Sequence, residues 1–298
     1  MKPLLLAMPG NRKTASAIAE HLGDEVASPV MRTFPDGETY LRIDAEVKGR
    51  SVAMVDTLVH PDSKIVPLLF AADTARGLGA ARIGLVAPYL AYMRQDRRFK
   101  PGEAIASRTI ARLLSAQFDW LVTVDPHLHR YRSLAEIYTI PADVLHAAPL
   151  IADWIASNVH SPFLIGPDAE SAQWVGDVAR RIGAPFGVLE KIRHGDRDVE
   201  VRLDGATDLR GHTPVLVDDI VSSGQTMLKA AELLKQRAET MPLCIAVHGI
   251  FADGSDERLQ AQGARLVTAN TIAHASNAID VNGLLADAVR RRLNIQLG

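Results

Sequence analysis

The chain has a single cysteine, Cys244, among 298 residues. An internal disulfide is excluded, and the apolar setting of Cys244 marks a buried structural thiol rather than a nucleophile. No run reaches the ~18 apolar residues that a membrane span needs. The apolar stretch at residues 4–8 is too short for a secretory signal. Neither sign of charge dominates: 33 Lys and Arg stand against 35 Asp and Glu, a net charge of −2. Holding a polyanion by bulk attraction is excluded, so any phosphate must be bound by a local cluster of donors. Aromatics are few, at 5%. The pattern GxxxxGK[ST] is missing, which excludes a Walker A loop. Together these absences lead us to expect a soluble cytoplasmic protein without a nucleic-acid or membrane partner.

What is present is ample apolar material, 47% of the chain. The length suggests two domains of ~150 residues each. Short apolar runs predict strands at residues 4–7, 51–55, 82–86, 120–124, 163–165, 186–189, 215–217, 243–247 and 265–268. Between them, helical spacing predicts helices at 14–22, 62–76, 104–116, 148–157, 170–182, 225–237, 257–262 and 284–293. This alternation implies an α/β fold with mainly parallel sheets flanked by helices, whose ligands sit just past strand C-termini. The pattern breaks at residues 139–147, which places the domain boundary there, giving 1–145 and 146–298.

Residues 214–227, PVLVDDIVSSGQTM, are the most informative. An apolar strand leads into Asp218 and Asp219, then a Ser-Ser-Gly loop, then a helix. The hydroxyls of Ser222, Ser223 and Thr226 and the loop amides can hold a phosphate at the helix N-terminus. Gly224 permits close backbone approach or a positive φ. The paired carboxylates can accept hydrogen bonds from sugar hydroxyls.

Other strings stand at similar places. Phe34-Pro35-Asp36-Gly37-Glu38 reads as a turn. Arg94, Gln95 and Asp96 lie in a charged segment after the 82–86 strand, suited to a surface loop or to seating a nucleotide. His127 and His129 follow the 120–124 strand, either as a loop pair or as joint metal ligands. Asp168 starts a helix after the 163–165 strand, the usual place of an N-cap. Lys191 and Arg193 share one face if their segment is extended, where two cations can clamp a transferring phosphoryl group.

FPDGE, PYxxYxRQDRR, VDPH, GPD, LEKIR and LVDDIVSSGQT, in this order and spacing, together resemble the ribose-phosphate pyrophosphokinase family across nearly the whole chain. The resemblance implies two phosphoribosyltransferase-type domains. It also implies a reaction in which ATP and ribose 5-phosphate give phosphoribosyl pyrophosphate (PRPP) and AMP, with Mg²⁺. On matching positions, Phe34, Asp36 and Glu38 form an ATP-binding turn completed by a neighbouring subunit. Arg94, Gln95 and Asp96 form a second ATP loop. His127 and Asp168 fall on the metal–ATP site, and Lys191 and Arg193 on a catalytic loop. Asp218 and Asp219 hold the ribose, and Ser222, Ser223, Gly224, Gln225 and Thr226 the 5-phosphate. A homodimer or homohexamer is the implied assembly.

The chain departs from the common bacterial pattern in its Ser-Ser-Gly-Gln-Thr loop, closer to archaeal-type members. It also departs at Gly102, where an Arg is expected, and at Gly77-Leu78-Gly79-Ala80, where an Arg-Ala-Ser-Ala stretch is expected. The last puts the family's allosteric phosphate/ADP site in doubt. Two alternatives compete: a phosphoribosyltransferase that consumes PRPP, and a non-catalytic regulatory paralogue. The first does not need FPDGE, RQD or the Lys191/Arg193 pair, and the second should have lost catalytic cations or metal ligands.

Overall fold

The computed structural model describes residues 2–193, 199–203 and 208–293. They fall into two α/β units, Met1–Leu145 with Asn282–Gly298, and His146–Val281.

In the first unit the chain runs β1 (Leu4–Ala7), α1 (Arg12–Leu22), β2 (Glu25–Ala27), β3 (Val30–Thr33), β4 (Thr39–Arg42) and β5 (Ser51–Val55). It continues through α2 (Asp62–Gly77), β6 (Arg82–Ala87), α3 (Ala106–Gln117), β7 (Trp120–Val124) and β8 (Ala142–Leu145). One six-stranded parallel sheet has the order β2-β1-β5-β6-β7-β8. Its central strands are almost entirely buried, the reason they read as unbroken apolar runs. Gly84 faces Trp120 in the β6–β7 register, and a side chain there would run into the buried indole. β3 and β4 stand apart as an antiparallel hairpin.

The second unit starts with α4 (Ala148–Asn158), β9 (Pro162–Gly166), a 3-10 turn (Ala169–Ser171), α5 (Ala172–Ile182), β10 (Phe186–Arg193) and β11 (Val199–Leu203). β12 (Thr213–Val221), α6 (Gln225–Arg237), β13 (Leu243–Gly249), α7 (Ser255–Ala261), β14 (Arg265–Ala269) and β15 (Asn277–Ile279) complete it. Its seven-stranded sheet has the order β11-β10-β9-β12-β13-β14-β15, parallel apart from the β10–β11 pair. Cys244 lies buried in β13, and burial pushes its thiol up to about 12. It is an inert core residue.

The last helix, α8 (Asn282–Leu293), packs on α1, β7 and β8 of the first unit. It buries Leu285, Ala286, Ala288 and Val289. Arg292 makes two hydrogen bonds to the Asp143 carboxylate, at 2.8 and 2.5 Å, and Arg290 donates to the His21 carbonyl at 2.8 Å. A cut after residue 145 assigns this helix to the second half, whereas its apolar face belongs to the first.

All the expected strands and helices are present; most ends shift by one or two residues, while β10 and β12 each run four residues past their expected ends. Among the strands not expected, β2, β8, β11 and β15 are the outer strands of the two sheets. An edge strand is short and half-wet, so it lacks the apolar run that betrays a central one. Residues 139–147, expected as a break between domains, thus contain β8. Among the described residues no helix is long and apolar enough to cross a membrane.

Candidate active site

β12 is longer than its apolar start suggests. It continues through Asp218 and Asp219 to Val221, paired with β13 as far as Gly249. The two carboxylates therefore leave from the strand rather than from a loop beyond it. Asp218 curls back to accept the Asp219 amide at 3.0 Å. On the adjacent strand, β9, the chain turns at Asp168, whose Oδ1 accepts the Ser171 amide at 3.3 Å. Asp168 is thus an N-cap, as its position suggests. Its charge also reaches Asp218. Burial first, then the charges of Asp219 and Asp168, hold the Asp218 carboxyl well above the usual carboxylate range. Crowded carboxylates whose ionisation is penalised are a donor set for a hard divalent cation, which favours the charged form.

Three residues beyond the strand, Ser222, Ser223 and Gly224, lead into α6. Gly224 adopts φ +68° at the helix N-cap, and as glycine it has no side chain to cap the amides that follow. A Cβ on Gly224 would sit 2.8 Å from the Ser255 Cβ, so both conformation and space demand glycine. Uncapped first-turn amides and the helix dipole form an anion seat. The carbonyls of this loop are occupied. Val221 O accepts the Ile250 and Phe251 amides at 2.9 and 3.1 Å. Ser222 O accepts the Ser255 hydroxyl at 2.8 Å, and Ser223 O accepts Arg258 Nη2 at 3.2 Å.

Lys191 and Arg193 close β10, in register with Val201 and Val199 of β11. The segment is extended, as their expected sharing of a face requires. Their side chains, and residues 194–198, lie outside the described part.

In the first unit, Phe34 to Glu38 form the turn of the β3–β4 hairpin. The Phe34 amide donates to Glu38 O at 2.8 Å, and Asp36 Oδ1 accepts the Glu38 amide at 3.1 Å. Arg32 stacks over Phe34 and Tyr40, with its Cζ 4.5 and 4.6 Å from the ring centres. Asp36 and Glu38 are exposed. Arg94 is exposed too, but Asp96 is only 6% exposed, and its carboxylate accepts Arg130 Nη1 at 3.2 and 3.3 Å. Asp96, expected as part of an ATP loop, thus holds its carboxylate against Arg130 in this structure. Its backbone carbonyl accepts the Tyr131 hydroxyl at 3.1 Å. The rings of His127 and His129 lie on the same side, 3.7 Å apart.

Sequence reasoning missed a second polar cluster in this unit. Asn11 follows β1 and donates to Asp56, which follows β5, at 2.9 Å. Lys64 approaches Asp56 at 3.2 Å and also donates to the Thr57 carbonyl. Asp56 is 2% exposed, and burial, outweighing Lys64 and Asn11, raises it to about 6. β1 and β5 are neighbours in their sheet as β9 and β12 are in theirs. By that equivalence Asn11 and Asp56 take the places of Asp168 and Asp218. The first unit supplies a cation, Lys64, beside Asp56, whereas the charges that act on Asp218 are those of Asp219 and Asp168. Asp56-Thr57 directly after an apolar strand was the available signal.

The family model described as the N-terminal domain of ribose phosphate pyrophosphokinase matches residues 4–117, and that of the phosphoribosyl transferase domain matches 133–281. A ribose-phosphate pyrophosphokinase of Methanothermobacter thermautotrophicus is 32% identical over 290 residues, covering 96% of this chain and 100% of its own. One from Saccharolobus solfataricus is 34% identical over 267 residues, covering 86% and 90%. The crystal structure of phosphoribosylpyrophosphate synthetase from Mycobacterium smegmatis shares the fold, with a TM-score of 0.85 at 24% identity over 99% of this chain and 100% of that one. The two family models together span most of the chain, and both relatives exceed 30% identity over most of its length; the chain belongs to the ribose-phosphate pyrophosphokinase family.

Proposed function

We infer that the chain transfers the β,γ-diphosphoryl group of ATP to the C1 hydroxyl of ribose 5-phosphate. The hydroxyl oxygen bonds to the β-phosphorus, the bond from that phosphorus to the α-phosphate oxygen breaks, and AMP leaves. The hydroxyl proton is lost to the surroundings. The observation that carries this reading is the β12–α6 junction, where carboxylates, a hydroxyl loop and an uncapped helix N-terminus follow one another. Asp218 and Asp219 are assigned to the ribose hydroxyls, and Ser222 to Thr226 to the 5-phosphate. The nucleotide side is assigned to Phe34, Asp36, Glu38, Arg94, Gln95, Asp96 and His127, with Asp96 acting through Arg130.

Mg²⁺ suits this donor set, since the Asp218 carboxyl is raised by burial first and then by the charges of Asp219 and Asp168, and a hard cation beside it offsets both. Asp168 would hold it, with His127 assigned to the metal–nucleotide side. When bound, the ion neutralises charge on the diphosphoryl oxygens. Lys191 and Arg193 are assigned to the charge that grows on the transferring group. Such transfer is catalysed mainly by positioning and charge neutralisation. The Phe34–Glu38 turn, exposed from Pro35 to Glu38, is assigned to complete the nucleotide site of a second copy, in a homodimer or homohexamer.

AMP release from ATP, measured with and without ribose 5-phosphate and Mg²⁺, tests the activity, and sizing of the active species tests the assembly. AMP formation independent of ribose 5-phosphate would refute the reading. PRPP consumption with a nucleobase would favour a phosphoribosyltransferase instead.

A further inference from the structure

An anion-binding loop must present amides to its ligand and turn carbonyls away, because a carbonyl oxygen repels phosphate. In this chain three consecutive carbonyls, of Val221, Ser222 and Ser223, are all taken by one neighbouring segment, residues 250–258. Two of the donors are side chains: the hydroxyl of Ser255 and the guanidinium of Arg258. The same guanidinium donates through Nη1 to the Asp253 carbonyl at 2.6 Å. It thereby ties the loop to a connection that is itself strained, with Phe251 and Asp253 at φ +50° and +56°. Ser255 also sets the wall that Gly224 just clears.

We propose that Ser255 and Arg258 are positioning residues for the ribose 5-phosphate loop, holding the Ser222 and Ser223 carbonyls outward so that the loop presents its amides to the phosphate. The proposal rests on reading residues 222–226 as that loop. Both residues act through backbone, so their loss weakens the hold on the 5-phosphate while ATP binding and the transfer step are largely kept. Ser255 is fully buried, and water cannot replace its hydroxyl. Arg258 is exposed, and water substitutes for part of its role.

The experiment compares Ser255→Ala, Arg258→Met and Arg258→Lys with the parent enzyme in steady-state kinetics and in calorimetric titration with ribose 5-phosphate. The KM for ribose 5-phosphate is expected to rise roughly tenfold in Ser255→Ala and roughly threefold in Arg258→Met, the scale of one hydrogen bond. The KM for ATP should stay level, kcat should fall less than about twofold, and Arg258→Lys should recover part of the loss. Equal rises for both substrates, or a fall in kcat alone, would overturn the proposal, as would unchanged ribose 5-phosphate affinity in both Ser255→Ala and Arg258→Met. Gly224→Ala and Asp218→Asn separate the two levels of inference. If these also leave ribose 5-phosphate affinity unchanged, the loop assignment itself fails. If they weaken it and the Ser255 and Arg258 variants do not, only the positioning role fails.

Discussion

Asp218 and Asp56 occupy matching places in the two sheets, and their surroundings give them opposite needs. Asp56 has Lys64 as a permanent partner, whereas Asp218 has carboxylates beside it. Both carboxyls are raised in the folded protein, so both favour folding below the ordinary carboxylate range and withdraw that support as pH rises through the folded value. For Asp218, we expect Asp218→Asn, without divalent cation, to unfold at a temperature higher than the parent by roughly 2–5 °C at neutral pH. The gain should shrink on acidification, and Mg²⁺ should stabilise the parent more than the variant. Thermal unfolding with and without Mg²⁺ measures both; a variant less stable than the metal-free parent at neutral pH contradicts the charge-crowding argument. For Asp56, with a folded value of about 6, the window lies between about pH 4 and 6. Asp56→Asn should abolish a stability change on the order of 2 kcal/mol across it. Urea unfolding at several pH values reads this, and parallel parent and variant profiles would refute it. Asp218, Asp219 and the Ser222–Thr226 loop were legible because their chemistry is contiguous in the chain. Asn11, Lys64 and Arg258 were not, because each acts on a partner far away in sequence, and a lone Asn, Lys or Arg carries no local signal.

At the scale of elements, the parallel sheets were readable through their central strands, where burial on both faces forces apolar runs. The edges were not, because half-wet strands share their composition with loops. The β10–β11 hairpin shows the consequence for the site. Its first strand was expected to end at residue 189, yet pairing with β11 carries it to Arg193, so Lys191 and Arg193 belong to a hairpin rather than to a loose loop. Backbone pairing fixes the register of the two positions, which suits a pair of cations proposed to act on one group. Lys191→Ala and Arg193→Ala should each lower kcat by about 100-fold or more, the loss typical of a transition-state donor, with KM values changed much less. Pre-steady-state AMP formation checks this, and near-normal kcat in both variants would remove them from the catalytic step.

At the scale of the whole molecule, regulation and chain order matter. The Gly77–Ala80 stretch forms the end of α2 and the turn after it. The cations flanking it are engaged: Arg76 donates to the Gln117 carbonyl at 2.8 Å and Arg82 to the Arg292 carbonyl at 3.2 Å. We therefore expect ADP to act by competing with ATP, without phosphate activation. Initial rates over a grid of ADP and ATP, with and without phosphate, decide it; inhibition that saturating ATP does not relieve would show a separate regulatory site. The return of α8 to the first unit has a further consequence, for biosynthesis. The second unit is continuous, but the first lacks the helix that covers β7 and β8 until residues 282–293 have been made. On the ribosome, the half that starts first is the half that finishes last. Its sheet waits with an uncovered apolar face while the other half folds, which makes the nascent first unit the stage most exposed to chaperone capture and aggregation.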